Sequence, residues 1–124
     1  MRRFVIACLL CCIMATPATA ALKVIGRGDS LRFDPSDFTP QMKSNFEIFK
    51  VKCTQCHSQE RIVISYLSGR MPITGQPFDM DNLKTISFRM YRKAMNNKKG
   101  KVITKEEIKP IHILLKYMMI ESSR

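Results

Sequence analysis

The sequence predicts an all-α fold built from three to four helices. Three separate segments carry apolar residues at spacings of three and four, which is the period of one face of an α-helix. Helix-start signals precede these segments, and turn-forming residues divide them. No run of residues alternates between apolar and polar in the way that a sheet strand does. We therefore expect helices joined by loops.

The first predicted helix follows a segment, residues 21–38, that has turn-forming residues and no clear period. It should begin at Thr39 and Pro40, because threonine is a favoured N-cap and proline fits the first helical position. We expect it to end at about Lys52. Its apolar face carries Met42, Phe46 and Phe49.

A second helix is predicted over roughly 81–97, after a loop at 68–80 that is rich in Gly and Pro. Asp79 or Asp81 should cap it. Gly100 is a natural stop after its end, and the lysines before that glycine suit the negative end of a helix dipole. One face carries Leu83, Ile86, Met90 and Ala94, with Tyr91 and Met95 on its flank.

The last helix is predicted to begin at Thr104 and to end at about Ile120. Thr104 and Glu107 have the spacing of a capping box, in which each side chain bonds the other residue's backbone N–H. Pro110 lies within the first two turns, where proline tends to kink a helix. The apolar stripe consists of Ile108, Ile111, Leu115 and Met118 or Met119.

The first 20 residues have the pattern of a secretory signal peptide. Arg2 and Arg3 give a positive start, an uncharged apolar run extends over 4–14, and Ala18-Thr19-Ala20 presents small residues for cleavage. We expect cleavage after Ala20, so that residues 21–124 form one exported domain of 104 residues. The expected location is the periplasm.

Two other interpretations of this segment are less favoured. A lipid-attachment site at Cys8 would have only three apolar residues before the cysteine, which is too short for a signal. Arg2-Arg3-Phe4 is reminiscent of a twin-arginine signal, but the rest of that pattern is missing. The apolar run is also too short to span a bilayer.

Cleavage would leave only two of the five cysteines, Cys53 and Cys56, and both belong to the run Cys-Thr-Gln-Cys-His that ends at His57. Covalent haem attachment needs two thiols for the two vinyl groups and an adjacent imidazole for the iron. This spacing supplies all three from one turn of chain. The motif therefore predicts one haem c, with His57 as the proximal ligand.

Other uses of the same residues fit less well. A thioredoxin-like dithiol normally follows a strand, and no βαβ pattern is present. A zinc site needs four ligands, and the one other histidine is His112. A disulfide between Cys53 and Cys56 would close an unfavourably short loop.

For the second iron ligand the sequence offers several candidates. Ligation by two histidines would need His112, which we expect to be a packing or polar residue of the last helix. Methionine is the usual alternative in electron carriers. Met71 lies in the predicted loop, and Met90 and Met95 lie on the following helix. Any of them could instead be core filler.

The net charge is +11, and it falls to +9 when Arg2 and Arg3 leave with the signal. A basic exported protein favours acidic protein partners over nucleic acid, and the chain has no pattern of alternating aromatic and basic residues. A solvated basic surface explains the charge equally well. If the charge serves such a partner, the docking face would consist of the lysines nearest the haem segments, which are Lys50, Lys52, Lys98, Lys99 and Lys101.

Residues 39–120 resemble the class I family of monohaem c-type cytochromes, which has the small cytochrome c fold with helices wrapped around one covalent haem. Phe49, four residues before the first haem cysteine, stands where that family has an aromatic residue. Asn45 stands where the family has glycine. The run 52–61 is similar to a subgroup that reads Cys-x-x-Cys-His-Ser-x-Glu-Arg.

In that subgroup the methionine ligand lies on a helix before a glycine, and a capped final helix follows. The resemblance therefore implies Met95 as the second ligand, since Met90 lies farther from Gly100. An insertion around 62–80 departs from the subgroup and leaves Met71 as another candidate. The small size and basic charge are also similar to periplasmic monohaem cytochromes of metal-reducing or electrode-respiring bacteria.

The resemblance implies electron transfer and no enzymatic activity. His/Met ligation would make the iron six-coordinate, which leaves no open position for a substrate. We expect a monomer that exchanges electrons with acidic redox proteins and has no stable membrane insertion. The alternative is a haem enzyme or gas sensor with five-coordinate iron, but no acid–base pair for such chemistry stands out.

Overall fold

The computed structural model describes residues 21–99 and 102–124. The predicted signal segment 1–20, Gly100 and Lys101 lie outside the described residues. The chain is mostly helical, which confirms the all-α prediction at the level of fold class. Its helices are α1 (Pro40–Lys52), α2 (Gln59–Ser68), α3 (Met80–Met95) and α4 (Lys105–Ser122).

The segment before α1 is mainly irregular, as predicted, but it contains one short antiparallel pair. Strand β1 (Val24–Ile25) pairs with β2 (Arg32–Phe33) across a turn. Two residues a strand are too few for an alternating pattern to be visible in the sequence. The Phe33 N–H donates to the Gln59 side-chain oxygen at 2.8 Å, and this bond ties the pair to α2.

The predicted helix starts are confirmed. Thr39 caps α1 by accepting a hydrogen bond from the Met42 N–H, and Thr104 and Glu107 form the capping box of α4. Asp79 caps α3. The end of α3 was predicted about two residues too late, because the helix ends at Met95 with Asn96 as its C-cap.

The main core lies where α1 and α2 pack against α4. Asn45, in the position where the family has glycine, is buried in α1, and its side-chain oxygen accepts a hydrogen bond from Gln41 at 3.0 Å. The Tyr66 hydroxyl of α2 donates to the backbone oxygen of Leu115 at 2.8 Å. The most deeply buried side chains of this core include Phe33, Phe49, Val63, Leu83, Leu114 and Met118.

Replacing Leu114 by Ala should lower the free energy of unfolding by about 2–5 kcal/mol, because the side chain is fully buried and the change leaves a cavity. Ile113 is 41% exposed and is the matched control on the same helix. Its replacement by Ala should change stability by at most about 0.5 kcal/mol. Denaturant titration measures both, and equal losses would contradict this placement of the core.

Candidate haem site

The motif Cys53 to His57 forms a tight connection between α1 and α2. A 3₁₀ turn, Cys53–Gln55, continues directly from α1, and the Cys53 N–H donates to the backbone oxygen of Phe49. The Thr54 hydroxyl donates to the Lys50 backbone oxygen at 2.5 Å. Ser58 then takes an extended conformation and starts α2. The two thiols and the imidazole are thereby held within one short, hydrogen-bonded segment.

This segment forms one wall of a cavity of about 500 Å³. Cys53, Cys56 and His57 all line it, so the structure brings together the three residues that the motif selects. The other walls come mainly from α2, from the loop between α2 and α3, and from α3, with further residues from α1, from α4 and from the loop before α4. The volume lies within the range of about 300–1,000 Å³ that is typical of ligand and cofactor sites.

The cavity is mainly apolar. Its walls include rings and aliphatic chains from every surrounding element, namely Phe49, Ile62, Phe78, Leu83, Ile86 and Leu115. Hydroxyl groups also line it, and those that come from the helices are on Ser65, Ser87 and Tyr91. All three are buried. An apolar wall with a few polar groups suits a large, flat, mostly hydrophobic cofactor.

Three cationic residues line the cavity, Lys52, Arg61 and Lys93. Among the described residues, no aspartate or glutamate joins them there. Arg61 and Lys93 are exposed, and Lys52 is half-buried. This charge distribution favours a ligand that carries carboxylates, as a haem does, because charge-assisted hydrogen bonds to carboxylates are strong.

The Cys53 thiol is protonated at neutral pH. Burial, and secondly the neighbouring Cys56, raise its pKa to about 12. A nucleophilic or redox-active dithiol works through a thiolate of lowered pKa. The surroundings of Cys53 therefore do not favour the dithiol interpretation of this motif.

His57 has one ring nitrogen, Nδ1, that is fully enclosed and has no hydrogen-bond partner within the described chain. Buried polar atoms are nearly always paired, and an exception needs an explanation. An imidazole on the wall of an apolar cavity, beside two cysteines, is suited to ligate a metal that the cavity holds. The residues present thus fit a covalent haem.

No protein-family model, curated protein or solved structure matches this chain. None of the helices in the described ranges is long and apolar enough to cross a membrane. Within residues 21–99 and 102–124, no cluster of three or more His, Cys, Asp or Glu side chains is arranged to hold a bare metal ion. The motif and its cavity are therefore the features of this chain that indicate a function.

Met95, the ligand implied by the resemblance, lies next to residues of the cavity wall but does not itself belong to the wall among the described residues. It packs against a small cluster made of Tyr91, Ile103 and Ile111, and it is not among the described residues that line the cavity. Its role as an iron ligand stays a prediction. The placement itself is that of a core methionine.

Met71 and Met90 both line the cavity, but they differ in how closely other side chains pack against them. Met71 packs against the main core, and its sulfur lies 4.0 Å from the Ser65 hydroxyl oxygen. Met90 belongs to neither hydrophobic cluster of the described chain and is 39% exposed. It is therefore the methionine whose side chain is most available to a group in the cavity.

The lysines predicted to form a docking face have different partners. Lys50 pairs with Glu47 at 2.8 Å, and Lys52 pairs with Glu107 at 3.4 Å. Lys98 and Lys99 are exposed. The Lys52–Glu107 pair joins the end of α1 to the start of α4 beside the cysteines, so Lys52 helps to hold the motif in place.

Sequence reasoning did not find Arg61, Ser65 or Lys93 as residues of the site. The first two lie on α2, to which the sequence patterns assigned no element, and the third lies on the flank of α3. Ser58 before this helix and Gly69 after it are the signals that could have found α2. Gly69 has a positive φ of 67° and terminates the helix in the left-handed conformation.

Proposed function

We propose that this protein carries single electrons on one covalently bound haem in the periplasm. Cys53 and Cys56 would form the two thioether links, and His57 would be the proximal iron ligand. The observation that carries the proposal is the position of this complete motif on the wall of an apolar cavity of about 500 Å³. When bound, haem supplies an iron that stores and releases one electron.

The chain's own residues would orient the cofactor and shield it from water. The two cysteines lie three residues apart on one turn, which fixes one edge of a bound porphyrin. Buried rings such as Phe49 and Phe78 exclude water from the cavity wall. A water-poor, rigid surrounding reduces the rearrangement that accompanies a change of charge, which suits electron transfer.

Met90 is the residue we propose as the second iron ligand. Its neighbours Ile86, Ser87 and Ala94 on α3 also line the cavity, so Met90 lies within the face that α3 presents to it. Together with His57, this methionine would supply the second protein ligand to the iron and would raise the reduction potential. Met71 is the alternative on the same cavity wall.

The partners proposed for this protein are redox proteins with acidic docking surfaces. The net charge supports this proposal, and so do the exposed Arg61 and Lys93 beside the cavity. Redox encounters are small and short-lived, and charge complementarity mainly raises their association rate. Ion pairs of Lys50 and Lys52 within the chain reduce the contribution of those two lysines.

The optical spectrum of the purified protein tests the proposal. We expect one haem per chain, a low-spin spectrum in both oxidation states, and a weak band at the red edge of the visible in the oxidised form, which indicates sulfur ligation. Carbon monoxide should leave the reduced spectrum unchanged, because the iron has no open position. A high-spin spectrum that shifts with carbon monoxide would support the five-coordinate enzyme or sensor instead.

A further inference from the structure

A tyrosine–histidine pair links the cavity wall to the outside of the protein. Tyr91 of α3 is 8% exposed and lines the cavity. Its hydroxyl oxygen lies 3.5 Å from Nδ1 of His112 on α4, and the two rings meet edge to face with centroids 6.4 Å apart. His112 itself is only half-buried. Electron transfer as proposed above uses neither residue.

We propose that His112 is a redox-linked proton site, which releases a proton when the protein gives up an electron and takes one up when it is reduced. The inference rests on the proposed function. The reduced protein with a His112 imidazolium becomes the oxidised protein with a neutral imidazole. One electron goes to an oxidising redox partner, and one proton goes from His112 to solvent.

The physical basis is electrostatic. Loss of an electron adds one positive charge in the cavity, and a second positive charge on a nearby imidazole is then less favourable. Tyr91 connects the two, because it lines the cavity and its hydroxyl oxygen lies 3.5 Å from Nδ1 of His112. Coupling through one buried residue is weakly screened by solvent.

The hydrogen bond of this pair changes direction with protonation. Neutral His112 can accept at Nδ1 from the Tyr91 hydroxyl, whereas the imidazolium must donate from Nδ1 to the phenol oxygen. The phenol hydrogen then turns away from His112. The dipole at the cavity wall therefore differs between the two protonation states of a residue that lies outside the cavity.

The groups that act on His112 come from the two helices that meet there. Burial, then Lys116 on its own helix, then Lys84 on α3 lower the pKa of His112 below its usual 6.5. Burial also raises the pKa of Tyr91 well above its usual range, against a smaller opposite effect of Ser87, so the phenol stays neutral. We therefore expect the titration on the acidic side of an ordinary histidine.

The charges on the iron and on His112 determine the direction in which the reduction potential changes with pH. Below the titration of His112, the imidazolium disfavours the oxidised state and keeps the reduction potential high. As the pH rises through the titration, that positive charge is lost and the potential falls. Above it, the potential is level again. The pKa of His112 is then lower in the oxidised protein than in the reduced protein.

A potential titration of the purified haem-loaded protein over a series of pH values tests this inference. The wild-type potential should fall through one step on the acidic side, and His112→Gln should remove that step. Lys116→Gln should move the step to higher pH, because it removes a positive neighbour. Tyr91→Phe should reduce its height. A step that is unchanged in His112→Gln belongs to the haem carboxylates and would overturn the inference.

An NMR titration of the His112 ring in the wild-type protein keeps the test independent of how well the variants fold. We expect a lower pKa in the oxidised form than in the reduced form, and equal values would overturn the inference. Failure of the proposed function looks different, because the protein would then have either no haem spectrum or a high-spin spectrum that shifts with carbon monoxide. A reversible haem couple without a His112 step rejects only the proton-linked role.

Discussion

The double variant Cys53→Ala, Cys56→Ala should lose covalently held haem completely. Cys53 begins the 3₁₀ turn, Cys56 follows its end, and both line the cavity. They are the only two cysteines among the described residues, so no other described cysteine can replace them as the attachment point. The wild-type protein should keep its haem after acid extraction in denaturant, because thioether bonds survive unfolding. Mass spectrometry of the denatured chain measures this directly as the presence or absence of the added haem mass.

Gln55→Ala is the matched control. Gln55 lies between the two cysteines in the same turn, is exposed, and is not among the residues that line the cavity in the described chain. It should retain haem like the wild type. A single Cys56→Ala variant should retain one thioether link, which changes the haem spectrum without releasing the group. A wild-type chain that is isolated without covalent haem, after expression with a haem-attachment system, would reject the assignment of the motif.

The helices that the sequence predicts are those with strong local signals. Thr39 with Pro40 and the Thr104–Glu107 box satisfy exposed backbone groups through contacts three residues apart, so their effect depends little on the rest of the fold. Local sequence signals determine the end of α3 less well. Asn96 terminates this helix, four residues before the glycine that seemed its natural stop.

The helix α2 was not predicted, although its limits carry recognisable residues. It has ten residues, and isolated helices of that length are marginal in water. Its stability comes from burial of Val63 and Tyr66 against the core, which is a tertiary contribution. The sequence pattern favours a loop at Gly69, whereas its left-handed conformation makes it the end of this helix.

The candidate site likewise has one part that local sequence determines and another part that depends on tertiary packing. Cys53, Cys56 and His57 are adjacent in the chain, so the sequence alone places them together. The opposite wall depends on how α3 is rotated about its axis. Residues along an α-helix are about 100° apart, so the side chains of Met90 and Met95 differ in direction by about 140°. Packing of Tyr91 against Ile111 of α4 turns Met95 towards the second cluster and leaves Met90 on the cavity wall.

Met90→Ala should therefore abolish sulfur ligation of the iron. The oxidised protein should lose its band at the red edge of the visible, the reduced protein should bind carbon monoxide, and the reduction potential should fall. The last effect is expected because methionine ligation raises the potential of a His-ligated haem. Optical spectra with and without carbon monoxide, together with a potential titration, measure all three.

Met71→Ala and Met95→Ala are the matched controls, since each removes one methionine from a different surrounding. Met95→Ala should keep the sulfur band and lower stability by less than the roughly 2–5 kcal/mol typical of a fully buried methionine, because Met95 is only partly buried against the second cluster. Met71→Ala should also keep the band, although loss of the contact with Ser65 loosens the loop.

If Met95→Ala alone removes the band, the ligand implied by the family resemblance is correct and α3 is rotated in the haem-bound protein. If Met71→Ala alone removes it, the loop supplies the ligand. A band that survives all three changes would show that no methionine on these elements binds the iron.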